Sequence, residues 1–225
     1  MFRRTTVLAL ALAVAASAHA IGQVQTKDSQ AVLTPGKALE LLKEGNARFV
    51  VGKPKKRDMA ADVKATAPGQ YPYAAVVSCM DSRAPMEIVL DQGLGDMFSL
   101  RTAGNVIDTD FLGSLEYAVK VVNIRLIAVV GHTHCGAVKG AIEGADFGSL
   151  TALLKKIAPA VTASGPGTVK DNAYVDKVAR ANVRDSMREI REKSAIIRDA
   201  LQSGKLGLVG GMYDIDTGKI TFMAD

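Results

Sequence analysis

Thiol and imidazole side chains gather at one point of this sequence. Cys79 and Cys135 are its only cysteines, and of its three histidines His132 and His134 fall within three residues of Cys135. In His132-x-x-Cys135 two intervening residues let a tight turn aim both side chains at one point. Soft thiolates together with an imidazole select zinc, and a Cys2His set leaves the fourth tetrahedral position open, which is the catalytic arrangement. Adjacent residues in extended chain point to opposite sides, so His132 has the better ligand spacing and His134 reads as a rim residue. Close to Cys79 stand Asp81 and Arg83, a carboxylate and a guanidinium that can pair through two parallel hydrogen bonds. The competing reading of the two cysteines is a single disulfide. It leaves His132, His134, Asp81 and Arg83 as coincidences.

These residues need a scaffold that brings Cys79 to His132, 53 positions away. Residues 73–78 form an apolar, valine-containing run that predicts a buried strand ending at Cys79. Residues 97–101 and 125–130 predict two more strands, the latter ending just before His132. Between them, Phe111, Leu112, Leu115, Ala118, Val119 and Val122 recur at helical spacing. Residues 85–90 and 137–143 predict short helices. Alternating strands and helices imply a parallel sheet covered on both faces, and sites in such sheets form outside the carboxyl ends of the strands. Cys79 and the His132–Cys135 turn are both placed there.

The rest of the chain fits one domain. A helix is predicted from Thr34-Pro35, with Ala38, Leu42, Gly45 and Phe49 on one face. Residues 52–69 lack periodicity and read as a loop. A helix is predicted around Leu150, Leu153, Leu154, Ile157 and Val161, then a break at 164–167 and a long charged helix over 172–202. A fourth strand over 206–213, a turn at Asp216-Thr217-Gly218 and an edge strand over 219–223 close the chain.

The first twenty residues read as an export signal. Arg3 and Arg4 precede an apolar run over 7–16 that is too short to span a bilayer, and Ala18-His19-Ala20 has the form of a cleavage site. The expected organisation is a signal peptide over 1–20, a flexible leader over 21–33 and a single domain over 34–225, with the mature protein periplasmic or secreted. No later stretch predicts a membrane span. The signal segment holds two arginines and no acid, so its removal takes the net charge from +5 to +3. With basic residues scattered among acids, and no tryptophan, the composition asks for no nucleic acid.

Three segments in order, Cys79-Met80-Asp81-Ser82-Arg83, Arg101-Thr102-Ala103-Gly104-Asn105 and Gly131-His132-Thr133-His134-Cys135-Gly136, together with Gly45 to Phe49, resemble the β-class carbonic anhydrases. The resemblance extends from about Thr34 to the C-terminus. It implies one Zn2+ per subunit on Cys79, His132 and Cys135. It implies that Arg83 holds the Asp81 carboxylate off the metal, so that Asp81 can orient the attacking oxygen. It also implies a bicarbonate and carbon dioxide pocket drawing on Gln70, Phe98, Gly104, Tyr117 and Gly136, with Gln70 often acting across a subunit interface. His134 is a candidate proton shuttle. The implied sheet has strand order 2-1-3-4 with an antiparallel edge strand, and the implied assembly is a homodimer or homotetramer. The same scaffold resembles hydrolases of carbonyl sulfide or carbon disulfide, and Ala103, where many members carry valine, leaves that alternative open.

Overall fold

The computed structural model describes residues 24–223. The segment read as an export signal lies outside the described residues. Five strands form one sheet in the order β2-β1-β3-β4-β5: β1 (Ala74–Ser78), β2 (Met97–Arg101), β3 (Leu126–His132), β4 (Gly207–Tyr213) and β5 (Ile220–Met223). The first four pair in parallel and β5 runs antiparallel to β4, as the sequence predicts. Every residue of β1 and β3 is buried, which is why both read as continuous apolar runs without alternation.

Helices cover both faces. They are α1 (Lys27–Ala31), α2 (Pro35–Val50), α3 (Met59–Thr66), α4 (Met86–Val89), α5 (Thr109–Lys120), α6 (Gly136–Glu143), α7 (Gly148–Leu154), α8 (Ala158–Ser164), α9 (Asn172–Lys193) and α10 (Ala195–Gln202). Ala38 and Leu42 of α2 and Met86 and Val89 of α4 share one core with Val76, Ala128 and Tyr213. On the other face Leu115 of α5 and the apolar stripe of α9 pack against Val77, Ile127 and Val129. Burial of these large side chains stabilises by roughly 1.5–3 kcal/mol each, so two cores clamp the sheet whose strand ends carry the chemistry.

Four segments depart from the sequence expectation. Within the stretch read as a loose leader, Lys27–Ala31 is helical. Thr26 and Ser29 cap each other's backbone N–H, and buried Gln30 donates through Nε2 to the carbonyls of Pro72 and Val122. Residues 52–69 contain α3, whose N-terminus Asp58 caps by accepting from the Ala61 N–H. Its only buried residue is Asp62, so no apolar stripe marked it. The helix expected over 150–161 is two, because Pro159 in the first turn of α8 has no N–H to continue the ladder. The long helix breaks at Ser194, which takes extended geometry (φ −118°, ψ 112°) and accepts from the Ile197 N–H at 3.2 Å to start α10. Among the described residues no helix is long and apolar enough to cross a membrane.

Candidate active site

The register of the sheet sets the site. Ser78 is paired with Arg101 on one side and Val130 on the other, and His132 with Tyr213. Cys79 and the His132–Cys135 turn therefore leave the sheet at the same carboxyl edge. Thr133 N–H donates to the Tyr213 carbonyl at 2.9 Å, and Cys135 immediately precedes the first residue of α6. Gly131 gives β3 room to pass α9, since a Cβ there would come 2.7 Å from Val183 Cγ2.

The sulfurs of Cys79 and Cys135 and a ring nitrogen of His132 all lie within 4.8 Å of one another, and all three residues are buried. The two sulfurs are 4.0 Å apart. A disulfide requires about 2.05 Å, so the disulfide reading of these cysteines is excluded, and both are free. Two thiolates at the usual zinc–sulfur distance around one tetrahedral ion stand about 3.8 Å apart, close to the separation observed. His132 Nδ1 lies 2.8 Å from the Thr133 carbonyl. That acceptor fixes the ring hydrogen on Nδ1 and leaves the lone pair on Nε2, which is buried and has no hydrogen-bond partner. An orphaned imidazole nitrogen aimed at two sulfurs, with its other nitrogen tied to a carbonyl, is the arrangement of a metal-ligating histidine. The donor set fits zinc.

Charge is distributed accordingly. Cys79 is pulled down to about 4: Cys135 shares a proton with it, and His132 and the Gly104 N–H add to this against the cost of burial. Cys135 is pushed up, by the proton it shares with the Cys79 thiolate and by burial. Burial disfavours charge on His132, but attraction to the Cys79 thiolate outweighs it and raises the imidazole. The pair thus favours one shared proton, which a divalent cation would displace.

Asp81 sits beside this cluster, with Oδ2 3.8 Å from His132 Nε2. Arg83 grips it bidentately, Nε to Oδ1 at 3.0 Å and Nη2 to Oδ2 at 2.8 Å, and its own N–H donates to Oδ1 at 2.9 Å. These bonds to Arg83 hold the Asp81 carboxyl down to about 2. Arg101 anchors the same segment by donating to the Asp81 carbonyl at 2.7 Å and the Cys79 carbonyl at 3.2 Å. Gly104, with φ 68°, donates its N–H to Cys79 Sγ at 3.3 Å, and Gly136 opens α6 directly after Cys135. His134 has φ 57°, and its Nε2 meets Asp216 Oδ2 at 3.2 Å at the exposed rim.

The remaining predicted residues are elsewhere in the subunit. Gln70 is exposed and precedes the amino end of β1, while Cys79 follows its carboxyl end. The strand between spans about 13 Å. Phe98 and Tyr117 pack edge to face with centroids 6.4 Å apart. With Leu100, Thr109 and Gly113 they line an open groove beside β2, at the margin of the sheet.

Some of the supporting residues had no role in the sequence reading. Arg101 lay inside a recognised segment but carried no assignment. Tyr213 Oη donates to the Arg83 carbonyl at 3.4 Å. Asn182 and Ser186 of α9 hold the Gly104–Asn105 turn. The last two were detectable as polar residues interrupting an apolar stripe at helical spacing.

A mostly parallel sheet with a thiol–imidazole cluster able to hold a metal at its carboxyl edge and an arginine-clamped carboxylate beside it defines an α/β protein with a candidate metal centre. The family model described as carbonic anhydrase matches residues 74–220. Carbonic anhydrase 2 of Mycobacterium tuberculosis is 40% identical over 191 residues, covering 82% of this chain and 91% of the relative. The carbonic anhydrase of Mycolicibacterium smegmatis is 37% identical, covering 83% and 92%. Among solved structures, one of the tetrameric β-carbonic anhydrases of Sordaria macrospora superposes with a TM-score of 0.63 at 26% identity, covering 71% of this chain and 84% of that one. The chain belongs to the carbonic anhydrase family, in its β class, and is an enzyme of that family.

Proposed function

We propose that this enzyme interconverts carbon dioxide and bicarbonate with one zinc ion held by Cys79, His132 and Cys135. The observation that carries the reading is the buried, partnerless Nε2 of His132 facing two unbonded sulfurs. Bound zinc supplies Lewis acidity that brings the ionisation of water toward neutral pH, an effect for which carbonic anhydrases are the standard example. The protein's own groups do the rest. Arg83 occupies both Asp81 oxygens from one side, so the carboxylate cannot swing into the fourth ligand position. Asp81 stays ionised and accepts the hydrogen of the attacking oxygen, turning a lone pair toward carbon. His134, with Asp216 behind it, passes the released proton to solvent.

Gln70, Phe98 and Tyr117 complete the substrate pocket from a second subunit, which supports a homo-oligomer. The position of Gln70 before the amino end of β1, opposite Cys79, and the exposure of Tyr117, 49%, favour this. The arginine pair, short apolar run and Ala18-His19-Ala20 support export. Stopped-flow carbon dioxide hydration on a sample of measured zinc content tests the reading. Turnover proportional to zinc, near one ion per chain, is expected. A zinc-loaded protein that hydrolyses carbonyl sulfide but leaves carbon dioxide untouched would overturn the substrate.

A further inference from the structure

Two polar side chains on the buried face of α9 play no part in the reading above. The helix presents Val175, Val178, Val183 and Ile190 to the core, and Asn182 and Ser186 lie on the same stripe, only 2% and 4% exposed. Apolar residues there would avoid desolvating an amide and a hydroxyl. Their partners account for them. Asn182 Nδ2 donates to the Gly104 carbonyl at 2.7 Å, and Ser186 Oγ donates to the Asn105 carbonyl at 3.0 Å. Both carbonyls belong to consecutive left-handed residues, with φ 68° at Gly104 and 46° at Asn105. Positive φ is uncommon outside glycine, though asparagine tolerates it better than most, and two such residues in succession need support from their surroundings. Space is also closed at Gly104, where a Cβ would fall 2.6 Å from Ile157 Cδ1. The product of this constrained turn is one hydrogen bond, from the Gly104 N–H to Cys79 Sγ at 3.3 Å.

We propose that Asn182 and Ser186 are positioning residues for the metal centre: by fixing the Gly104 and Asn105 carbonyls they aim the Gly104 N–H at the Cys79 sulfur and set how much charge that thiolate gives to the metal. The proposal rests on the assignment of Cys79, His132 and Cys135 as zinc ligands. An N–H donor draws electron density from a thiolate, as outer partners do for metal ligands generally. Without it the sulfur donates more strongly and is more easily oxidised.

The test replaces zinc by cobalt(II) in the purified protein and follows the thiolate-to-cobalt charge-transfer band, alongside zinc affinity by competition with a chromophoric chelator. Ser186→Ala and Asn182→Ala are expected to move the band to longer wavelength, because a thiolate without its N–H donor is more easily oxidised, and to weaken zinc binding about tenfold, because loss of the sulfur's fixed position outweighs its stronger donation. Ser186→Thr keeps the hydroxyl and should keep the wild-type band. Ile190→Ala, a core substitution on the same face two turns beyond Asn182, should lower stability and leave the band in place. If Asn182→Ala does not fold, Ser186→Ala alone decides. Wild-type bands and affinities in the folded alanine variants would overturn the proposal while leaving the zinc reading intact. An equal shift in Ile190→Ala would overturn it as generic loosening. A wild-type protein that binds cobalt without any thiolate band would remove the zinc reading, and the proposal with it.

Discussion

Asp81 and Asp91 are both gripped by arginine, yet they sit in very different surroundings. Asp91 is buried, with its side chain 2% exposed. Arg48 of α2 and Arg57 from the segment before α3 each reach it at 2.6 Å, and the Lys55 N–H adds a third bond. It ties α2 and the 52–58 segment to the end of α4. Asp81 is 15% exposed and its partner Arg83 is 54% exposed, at the mouth of the ligand cluster. The same pairing chemistry thus fastens the fold in one place and poises a carboxylate in the other. Burial decides which, because exposed ion pairs contribute little to stability whereas breaking a buried one strands its partners.

The sharpest separation should come from removing each carboxylate. Asp91→Ala leaves two arginines facing a vacated, largely buried site, and should cost about 3 kcal/mol of stability by denaturant unfolding. Turnover per folded, zinc-loaded molecule should stay within about twofold. Asp81→Ala should reverse the pattern, with carbon dioxide hydration falling about a hundredfold and stability changing by less than about 1 kcal/mol. If Asp91→Ala instead abolished turnover at wild-type stability, the division between fastening and poising would be broken.

Acid should expose the same contrast. Asp81 is lowered mainly by its bonds to Arg83. At Asp91 burial works in the other direction, and the bonds from Arg57 and Arg48 overcome it to give a net lowering. With folded values below the unfolded one of about 4, each contributes stability that is complete above that value and is lost as pH falls through the folded value, about 2 for Asp81. Unfolding free energy should therefore drop as pH falls below about 4. Asp81→Asn and Asp91→Asn should each flatten that slope, and a slope that neither substitution changes would contradict the lowering of both carboxyls by their arginines. The smallest effect is expected at the rim, where His134→Ala should slow turnover a few-fold in weak buffer and recover when imidazole is added.

What could be read from the sequence follows the strength of each physical signal. The strands were legible because burial on both faces makes β1 and β3 uninterrupted apolar runs. The cluster of Cys79, His132 and Cys135 was legible because thiols and imidazoles are scarce in this chain. The helix boundaries at Ser194 and Pro159 were missed, although both residues carry cap or breaker chemistry, because the apolar period continues across them. The α3 helix was hidden for a different reason. It packs no apolar stripe, and its start rests on one Asp58 cap. Gln70, Phe98 and Tyr117 show the limit of reading one chain. The resemblance implied a pocket for them, whereas the fold places Gln70 before the amino end of β1 and Phe98 and Tyr117 along the β2 margin, and only the proposed function brings them back through a second subunit. Asn182 and Ser186 were visible only as polar interruptions, and it took the Gly104–Asn105 turn to give them a purpose.

The proposed activity depends on a single zinc ion held by the Cys79 and Cys135 sulfurs and the His132 imidazole, with the fourth position left to solvent. X-ray absorption at the zinc edge of the purified protein tests it most directly. Two sulfur scatterers at about 2.3 Å, one imidazole nitrogen at about 2.0 Å and one further light atom completing four-coordination are expected. A shell containing fewer than two sulfurs, or a carboxylate of Asp81 filling the fourth position in active protein at neutral pH, would contradict it.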